Sequence, residues 1–423
     1  MLSRVTPGEA ARFILEHVQV LRPERRPLKD SLDRVLAEDV ASEIDLPPWD
    51  NSSMDGYAAR TTDVRGATTQ QPVVLELVET VAAGGFPARA ITQGRATRVF
   101  TGSPVPEGAD CVIRQEDVDV QGAGRVAVRS DRDAGHNIRR RGEDVRRGAS
   151  VLGRGTLLGP AQIGVLASIA HARPLVHPAP RVAFFGSGEE IVDLDEAGTA
   201  QVLAGRKIAS ANSYTLDGMI RRAGAIPRDL GLAGDDRAAI AAKFEQAASA
   251  DLIVTTGGVS VGEHDHMRTA LADLGGALEL WRVRMRPGAP LGFGSLRGTP
   301  WIGLPGNPVS TMVTFELFAR PAIRRMQGHT RAFRETVLVH VGEPLQLGPP
   351  LQHFLRVVVR AEPDGQHVAR LTGAQGSGIL TSMAHANALL IVPEDRASVP
   401  AGTMLPAISL EEDGARYTSL PPF

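Results

Sequence analysis

The chain contains little cysteine, few aromatic residues and no long apolar run, and each shortage excludes a class of protein. Cys111 is its only cysteine, so the chain can form neither an intramolecular disulfide nor a cysteine-rich metal site. Aromatic residues make up 4% of the chain, too few for extended base-stacking surfaces. The net charge of −2 argues against a general binder of nucleic acid or acidic membranes. Because the sequence has no signal-peptide core and no apolar run near the ~20 residues that cross a bilayer, we expect a cytoplasmic protein.

Lysine is also scarce, because Lys29, Lys207 and Lys243 are the only lysines among 46 basic residues. Any anion site must therefore use arginine side chains or backbone amides. The composition is otherwise ordinary for a globular protein, with 43% hydrophobic and 22% charged residues.

The pattern of residues changes along the chain and predicts a multidomain protein of α/β and β parts. Apolar spacing predicts helices over 7–18 and 31–40, the second with Ser31 as its N-cap. Strands and helices alternate from 180 to 330, which predicts a parallel sheet with helices on both faces. The predicted domains are a discontinuous N-terminal helical-β domain (1–43 and 140–177), an inserted β domain (44–139), an α/β domain (178–328) and a C-terminal β domain (329–423).

Three polar, glycine-containing loops follow predicted strands of the α/β domain, at residues 185–190, 255–265 and 303–310. In an open α/β sheet, ligands bind outside the carboxyl ends of the strands. Glu263 and Asp265 suit a hard cation such as Mg²⁺. Asn307 as N-cap and Pro308 as first helical residue predict a helix start whose free N–H groups attract anions. Each loop alone could be a plain turn, but three together predict a site for a phosphate-bearing ligand.

Other polar motifs leave alternatives open. Strand alternation puts Arg282, Arg284 and Arg286 on one face, as either an oxyanion clamp or a solvated edge. Asp50 and Asp55 flank a polar turn, and an Asx-turn is the favoured role for Asp50. Residues 139–144 combine three arginines with two acidic residues, which indicates internal pairing or the rim of a site.

Two motifs are weaker than they look. Residues 258–262 match the G-x-S-x-G pattern of serine hydrolases, but Ser260 follows two threonines and two glycines instead of sitting at the strand-to-helix turn. His264 and His266 flank Asp265, and solvent-exposed or hydrogen-bonded histidines are favoured there over a zinc site. No P-loop motif is present in the sequence.

Five segments together resemble the signatures of the molybdopterin molybdenumtransferases, bacterial relatives of the gephyrin E domain. They are DNSSMDGY at 50–57, TGSPVPEG at 101–108, NIRRRGED at 137–144, TGGVSVG at 256–262 and LPGNPVS at 304–310. The resemblance implies a homodimer whose subunit has a three-layer, molybdopterin-binding α/β domain and a C-terminal β-barrel. It also implies the reaction: adenylylated molybdopterin is cleaved, AMP leaves and molybdate is inserted, with Mg²⁺ as the expected ion.

By matching position, the resemblance implies functional roles for Asp55, Thr101, Glu189 or Glu190, and Asp265. Asp55, Glu190 and Asp265 are the expected Mg²⁺ ligands. We expect the site to lie between the α/β domain of one subunit and the Asp55 loop of the other. Together with the polar loops above, the predicted substrate-binding residues are Arg139, Asp144, Asn212, Asp251, Gly257, Gly258, Ser260, Gly262, Arg282, Arg286, Pro305, Gly306, Asn307, Pro308 and Ser310.

The chain departs from the family pattern at the α/β domain. Ala289 stands where relatives often have lysine, and arginine stands for lysine at 282 and 286. Two alternatives therefore accompany the transferase: a molybdopterin carrier or scaffold, and a molybdopterin adenylyltransferase. The predicted partners are adenylylated molybdopterin, molybdate and a second copy of the chain. The upstream adenylyltransferase and apo-molybdoenzymes are further candidates, and nucleic acid and membranes are excluded.

Overall fold

The computed structural model describes residues 1–82, 84–122, 124–258, 266–348, 350–363 and 365–411. Its internal contacts divide the chain into two compact units. The larger unit comprises Met1–Glu24, Asp33–Ala37 and the chain from Val176 onward, and the smaller one comprises Arg25–Leu32 and Glu38–Leu175. In the described ranges, no helix is both long and apolar enough to cross a bilayer.

The chain begins with β1 (Leu2–Val5), α1 (Pro7–His17) and β2 (Glu24–Arg25). The first predicted helix is confirmed, and a capping box fixes its start. The Thr6 hydroxyl accepts from the Glu9 amide at 3.2 Å, and the Glu9 carboxylate accepts from the Thr6 amide at 2.8 Å. The second predicted helix, over 31–40, is wrong. Asp33 has a left-handed φ of 59° and Leu36 forms a β-bridge, so the backbone cannot continue as a helix.

The smaller unit is built on an antiparallel-rich six-stranded sheet in the order β8-β5-β7-β6-β10-β9. Buried Tyr57, Leu75, Ile113 and Val126 form its main core. The elements that follow β2 along the chain, up to residue 176, are β3 (Val40–Ala41), β4 (Asn51–Ser52), β5 (Gly56–Ala59), α2 (Thr61–Val64), β6 (Val73–Thr80), β7 (Arg95–Val99), β8 (Cys111–Arg114), β9 (Val118–Val120), β10 (Arg125–Val128), β11 (Ile138–Arg139), β12 (Ser150–Leu152), α3 (Pro160–Ser168) and β13 (Leu175–Val176).

The α/β part of the larger unit carries the alternating strands and helices that the sequence predicts. The elements are β14 (Arg181–Ser187), β15 (Ile191–Val192), α4 (Glu196–Leu203), β16 (Ile208–Ala209), α5 (Ala211–Arg222), β17 (Ile226–Ala233), α6 (Arg237–Ala247), β18 (Leu252–Thr256), α7 (His266–Asp273), β19 (Ala277–Val283), β20 (Met285–Arg286), β21 (Gly292–Leu296), β22 (Thr299–Leu304), α8 (Pro308–Thr314) and α9 (Arg320–Met326). A π-helical turn, Phe315–Ala319, joins α8 to α9.

Seven strands form one sheet in the order β1-β19-β21-β22-β18-β14-β17. The sheet is parallel except for β21, which pairs antiparallel with both of its neighbours. The sequence analysis does not predict β17 or β21. β21 and β22 form a hairpin whose turn uses the left-handed residues Arg297 and Gly298.

Two hydrophobic cores cover the two faces of this sheet, which confirms the three-layer arrangement. On β14, Val182 and Phe184 enter one core, and Ala183 and Phe185 enter the other. The alternation follows from the two-residue period of a strand, so central strands must be apolar on both faces. Helices α1, α5, α8 and α9 contribute to the first core, and α6 and α7 contribute to the second.

The C-terminal part forms a closed five-stranded barrel, because β25 pairs with both β26 and β27. The ring runs β25-β26-β23-β29-β27, and β20 adds to β25 from outside it. The predicted multidomain α/β plus β fold class, with its C-terminal barrel, is confirmed. The elements are β23 (Thr336–Val341), β24 (Leu345–Gln346), β25 (Gln352–Ala361), β26 (His367–Leu371), α10 (Leu380–Ala384), β27 (Ala388–Val392), β28 (Ser398–Val399) and β29 (Met404–Ser409).

The predicted domain boundaries stay predictions. The two compact units divide the N-terminal segment differently, because β1 pairs with β19 and α1 packs in the first core of the larger unit.

A buried histidine follows the end of α9. His329 Nε2 donates to the Gln327 side-chain oxygen at 3.1 Å, and Nδ1 accepts from Arg324 at 3.2 Å. Burial lowers the pKa of His329 to about 4, and the nearby Arg324, Arg320 and His177 act in the same direction. The neutral ring is therefore the form that fits this environment.

We predict a loss of stability in mild acid from this histidine. Between pH 6.5 and about 4 the unfolded chain binds a proton at His329 and the folded chain does not, so stability falls as pH falls. The linkage gives a loss of about 2 kcal/mol between pH 7.5 and 5. His329→Gln should reduce this loss in chemical unfolding experiments at both pH values. An exposed matched control, His385→Gln, should retain it, and equal losses in both variants would contradict the assignment.

Candidate functional site

A cavity of about 950 Å³ lies at the carboxyl ends of β14, β18 and β22. It is lined by residues 187–191, 208–212, 235, 256–258, 266, 290, 305–308 and 310. Its size suits a cofactor-sized ligand. The predicted site residues that line it are Glu189, Glu190, Asn212, Gly257, Gly258, Pro305, Gly306, Asn307, Pro308 and Ser310.

The topology of the sheet explains the position of this cavity. From β14 the chain passes to β17 on one side, and then returns to β18 on the other side of β14. The connecting helix α5 packs in one core, and α6 packs in the other. The loops after β14 and β18 therefore diverge, and this switch point is where open α/β sheets bind ligands.

Glycine allows the cavity loops to approach one another closely. Gly257 has a φ of +81°, and a Cβ atom on it would lie 2.8 Å from the Ser187 carbonyl oxygen. Gly258 has a φ of +64°, and a Cβ atom there would lie 2.5 Å from Met267. A Cβ on Gly306 would contact the Cα of Gly257 at 3.4 Å. Side chains at 257 and 258 would therefore strain the backbone and close the space between the loops.

Hydrogen bonds hold the loop 305–310 against its neighbours. The side-chain amide of Asn212 donates to the Gly306 carbonyl at 2.8 Å, and the Thr311 hydroxyl donates to the Pro305 carbonyl at 2.6 Å. Asn307 and Pro308 occupy the predicted N-cap and first helical positions of α8. The Asn307 side chain makes no cap bond, however, and instead donates to the Ser377 hydroxyl at 3.1 Å.

The charged side chains lining the cavity are mostly acidic. Among the described residues, its carboxylates are Glu189, Glu190 and Asp235, and His266 also lines it. Lys207 approaches from outside and donates to the Glu189 carbonyl. Asp235 and Pro290 were not predicted from the sequence as lining residues, and Ser187, which lies in the predicted loop 185–190, was not singled out.

The predicted arginine clamp does not line this cavity. Val283 and Met285, which separate the three arginines in sequence, are buried. Arg284 forms an ion pair with Glu394 at 3.1 Å. Arg282 has a left-handed φ of 67°, and Arg286 lies on β20, which pairs with the barrel strand β25.

Asp251 also lies away from the cavity. It precedes β18, at the amino end of the strand, and accepts from the Arg181 amide at 2.7 Å. This bond joins the starts of β14 and β18. Asp251 therefore has a structural role at the amino ends of the strands, whereas the cavity lies at their carboxyl ends.

Ser260, Gly262 and Asp265 lie outside the residues that the structure describes, as do Glu263 and His264. Across the described ranges, no group of three or more His, Cys, Asp or Glu side chains is arranged to hold a metal ion.

The smaller unit carries a second predicted set around Asp55. Its carboxylate accepts from the Thr101 amide at 2.8 Å and from the Thr101 hydroxyl at 2.9 Å. These two hydrogen bonds hold the pKa of Asp55 below its ordinary value, and the bond from the backbone amide has the larger effect. Arg98 adds a weaker effect in the same direction. Its guanidinium stacks on Tyr57 at 4.9 Å, a partner that the sequence analysis missed.

The arginine-rich loop of this unit pairs internally. Arg140 and the Arg141 amide both donate to the Asp50 carboxylate, at 2.7 and 2.8 Å. Arg139 pairs with Asn51 in the short ladder of β11 and β4. Asp144 is exposed, and its amide donates to the Leu46 carbonyl. The Asp50 carboxylate therefore fastens this loop, and its predicted Asx-turn stays a prediction.

The larger unit combines a mixed sheet, a cavity at the switch point of that sheet and a closed barrel. These features define a multidomain α/β protein with a site for a small molecule. Three family models match the chain in order. They are the MoeA N-terminal region (domain I and II) at 5–170, the probable molybdopterin binding domain at 187–325, and the MoeA C-terminal region (domain IV) at 339–410.

Curated proteins match over most of the chain. Molybdopterin molybdenumtransferase 2 of Mycobacterium tuberculosis (strain H37Rv) is 36% identical, covering 94% of this chain and 97% of that protein. Molybdopterin molybdenumtransferase of a Nostoc species is 34% identical, covering 87% of this chain and 84% of that protein. The crystal structure of the molybdopterin biosynthesis moeA protein from Pyrococcus horikoshii OT3 matches with a TM-score of 0.76 at 28% identity, covering 96% of this chain and 100% of that one.

The chain belongs to the molybdopterin molybdenumtransferase family. Membership confirms the predicted class, a transferase of molybdenum cofactor biosynthesis with a molybdopterin substrate. The carrier and adenylyltransferase alternatives are not favoured, since relatives named as molybdenumtransferases match almost the full length.

We predict that Gly257→Ala will damage both the fold and the cavity. The left-handed backbone should cost about 1 kcal/mol of stability, and the contact with Ser187 should add to it. Molybdopterin affinity, measured by calorimetry, should fall about tenfold. Gly298→Ala is the matched control, because its φ is +86° and its Cβ would meet open space. It should lose stability and keep its affinity, and equal affinities in the two variants would contradict the site.

Proposed function

We propose that this chain inserts molybdate into adenylylated molybdopterin and releases AMP. The observation that carries the proposal is the cavity at the switch point of the sheet, where the turn 256–258 and the helix start at 305–310 converge. Closely approaching backbone and a helix start suit the phosphates of such a ligand. Family membership supplies the molybdopterin part of the substrate.

In the proposed reaction, water hydrolyses the pyrophosphate bond to give AMP and molybdopterin phosphate. The two dithiolene thiols bind molybdenum and displace one molybdate oxygen, which leaves as water, so molybdenum does not change its oxidation state. Glu189, Glu190 and Asp235 alone would repel the phosphates of this ligand. A cation placed between carboxylates and phosphates removes that repulsion. Mg²⁺ commonly binds one or two carboxylates together with substrate phosphates, so these donors suit it without a complete protein cage. When bound, the ion would neutralise the phosphoryl oxygens.

The predicted ligand set of Asp55, Glu190 and Asp265 remains a proposal, as do the homodimer and the cytoplasmic location. In this proposal Asp55 comes from a second copy of the chain. The hydrogen bonds from the Thr101 amide and hydroxyl lower the pKa of Asp55 and so favour the charged form, which is the form that binds a metal ion.

The direct test is AMP release from adenylylated molybdopterin by the purified protein with Mg²⁺, with and without molybdate. The proposal expects release that depends on both ions. Tight binding of the substrate without release would contradict the transferase and favour a carrier.

Asp55→Asn should separate catalysis from binding. The amide keeps the size of the side chain but loses its charge, so AMP release should fall at least a hundredfold while substrate affinity changes little. Asp119→Asn is the matched control, since Asp119 is an exposed carboxylate of the same unit paired with Arg129. It should leave both quantities unchanged, and unchanged AMP release in Asp55→Asn would remove Asp55 from the proposal.

A further inference from the structure

A loop of the C-terminal barrel reaches the candidate site through Ser377. Its hydroxyl accepts from the Asn307 side chain at 3.1 Å, and its carbonyl oxygen accepts from the Val309 amide at 3.1 Å. Asn307 lines the cavity, and Val309 lies in the first turn of α8. One barrel residue therefore fixes both the side chain at the N-cap and the backbone of the helix start.

These contacts complete a three-sided support for the loop 305–310. Asn212 holds Gly306 from α5, and Thr311 holds Pro305 from within α8. The Asn307 side chain is free to bond Ser377 because it does not cap its own helix. Ser377 of the barrel provides the third set of contacts, so the position of the loop 305–310 depends on the position of Ser377.

The position of Ser377 depends in turn on a buried arginine. Arg356 lies on β25 and is 0% exposed. Its guanidinium donates to the Gly376 carbonyl at 3.0 Å and to the Ser382 hydroxyl at 3.1 Å. The side chain of Gln375 accepts from the Arg356 amide at 2.8 Å and donates to its carbonyl at 3.1 Å. Residues before Ser377 (Gln375 and Gly376) and after it (Ser382) therefore all bond to Arg356.

Burying a guanidinium is costly, and burial lowers the pKa of Arg356. Within the described residues its side-chain bonds go to a carbonyl and a hydroxyl, and it forms no ion pair there. Leu355 and Val357 face the barrel core, so Arg356 lies on the outer face of β25, where a buried apolar residue would cost less. What the arginine adds is a rigid, forked donor that fixes the loop carrying Ser377.

We propose that Ser377 is a positioning residue for the candidate site, holding the wall 305–310 through Asn307 and Val309, and that Arg356 holds Ser377 in place. The effect on turnover rests on the proposed function, whereas the effect on the loop itself does not. The barrel thereby acts on ligand binding without contacting the ligand through either residue.

The first test is hydrogen–deuterium exchange of peptides covering 304–311, without ligand. Ser377→Ala removes the acceptor of the Asn307 side chain, so exchange in these peptides should become several-fold faster. Ser377→Thr keeps a hydroxyl and should restore the slow exchange. Ser398→Ala makes the same chemical change on β28 and should have no effect. Unchanged exchange in Ser377→Ala would overturn the proposal.

The second test measures AMP release from adenylylated molybdopterin. Loss of one neutral hydrogen bond should raise KM about 3- to 10-fold in Ser377→Ala, with kcat within about twofold of the wild type. The threonine variant should restore KM, and a failure to restore it would indicate lost packing and overturn the positioning role. If the wild type itself released no AMP, the proposed function would fail and the exchange data alone would decide.

Arg356→Lys keeps the charge but loses the fork, and it should produce the same faster exchange at 304–311. Normal exchange in a folded Arg356→Lys protein would overturn the role of Arg356. If that variant does not fold, Ser382→Ala replaces it, because it removes one acceptor of the guanidinium and leaves the arginine in place. It should also speed exchange at 304–311, and unchanged exchange would overturn the role of Arg356.

Discussion

The structure depends on one constraint: the central strands β14, β18 and β22 must bury apolar side chains on both faces. Their residues alternate between two cores, so helices have to cover each side of the sheet. With both faces covered, polar groups can collect only at the strand ends. At the carboxyl ends the chain reverses its winding direction, and the loops separate to leave the cavity.

The carboxylates that line the cavity would repel the phosphates of the proposed substrate, so the proposed function calls for a cation between them. Among the described residues, the carboxylates of the cavity come from the turn after β14 and from Asp235. The arginines at 284 and 286 do not line the cavity. Arg284 pairs with Glu394, and Arg286 lies in a ladder with the barrel. Because lysine is scarce, we propose that backbone amides are the main groups that hold the phosphates, at the loops brought close together by Gly257 and Gly306.

Much of the fold could be predicted from periodicity and local chemistry. The first helix followed from its apolar spacing, and the helix after Asn307 followed from its N-cap and the proline at its first position. The segment 31–40 was mispredicted because its apolar spacing suits a helix, but its side chains bury as irregular chain with a left-handed Asp33. β21 escaped prediction because a glycine-rich strand between two buried tryptophans carries little β-propensity.

The candidate site was predictable where one loop supplies both sequence motif and geometry, as at 305–310. It was not predictable where partners are distant in sequence. Asp235 reaches the cavity from the end of β17, and Ser377 reaches Asn307 from the barrel, across 70 positions. Strand alternation predicted one shared face for the arginines at 282–286, but it could not show the left-handed backbone of Arg282 or the ion pair of Arg284 with Glu394.

The central claim is that the ligand binds at the carboxyl ends of β14, β18 and β22. The most direct measurement is a crystal structure of the protein with adenylylated molybdopterin and Mg²⁺. The account predicts electron density for the ligand phosphates between the turn 256–258 and the helix start at 305–310. Density for the ligand at another surface, with this cavity filled only by water, would contradict it.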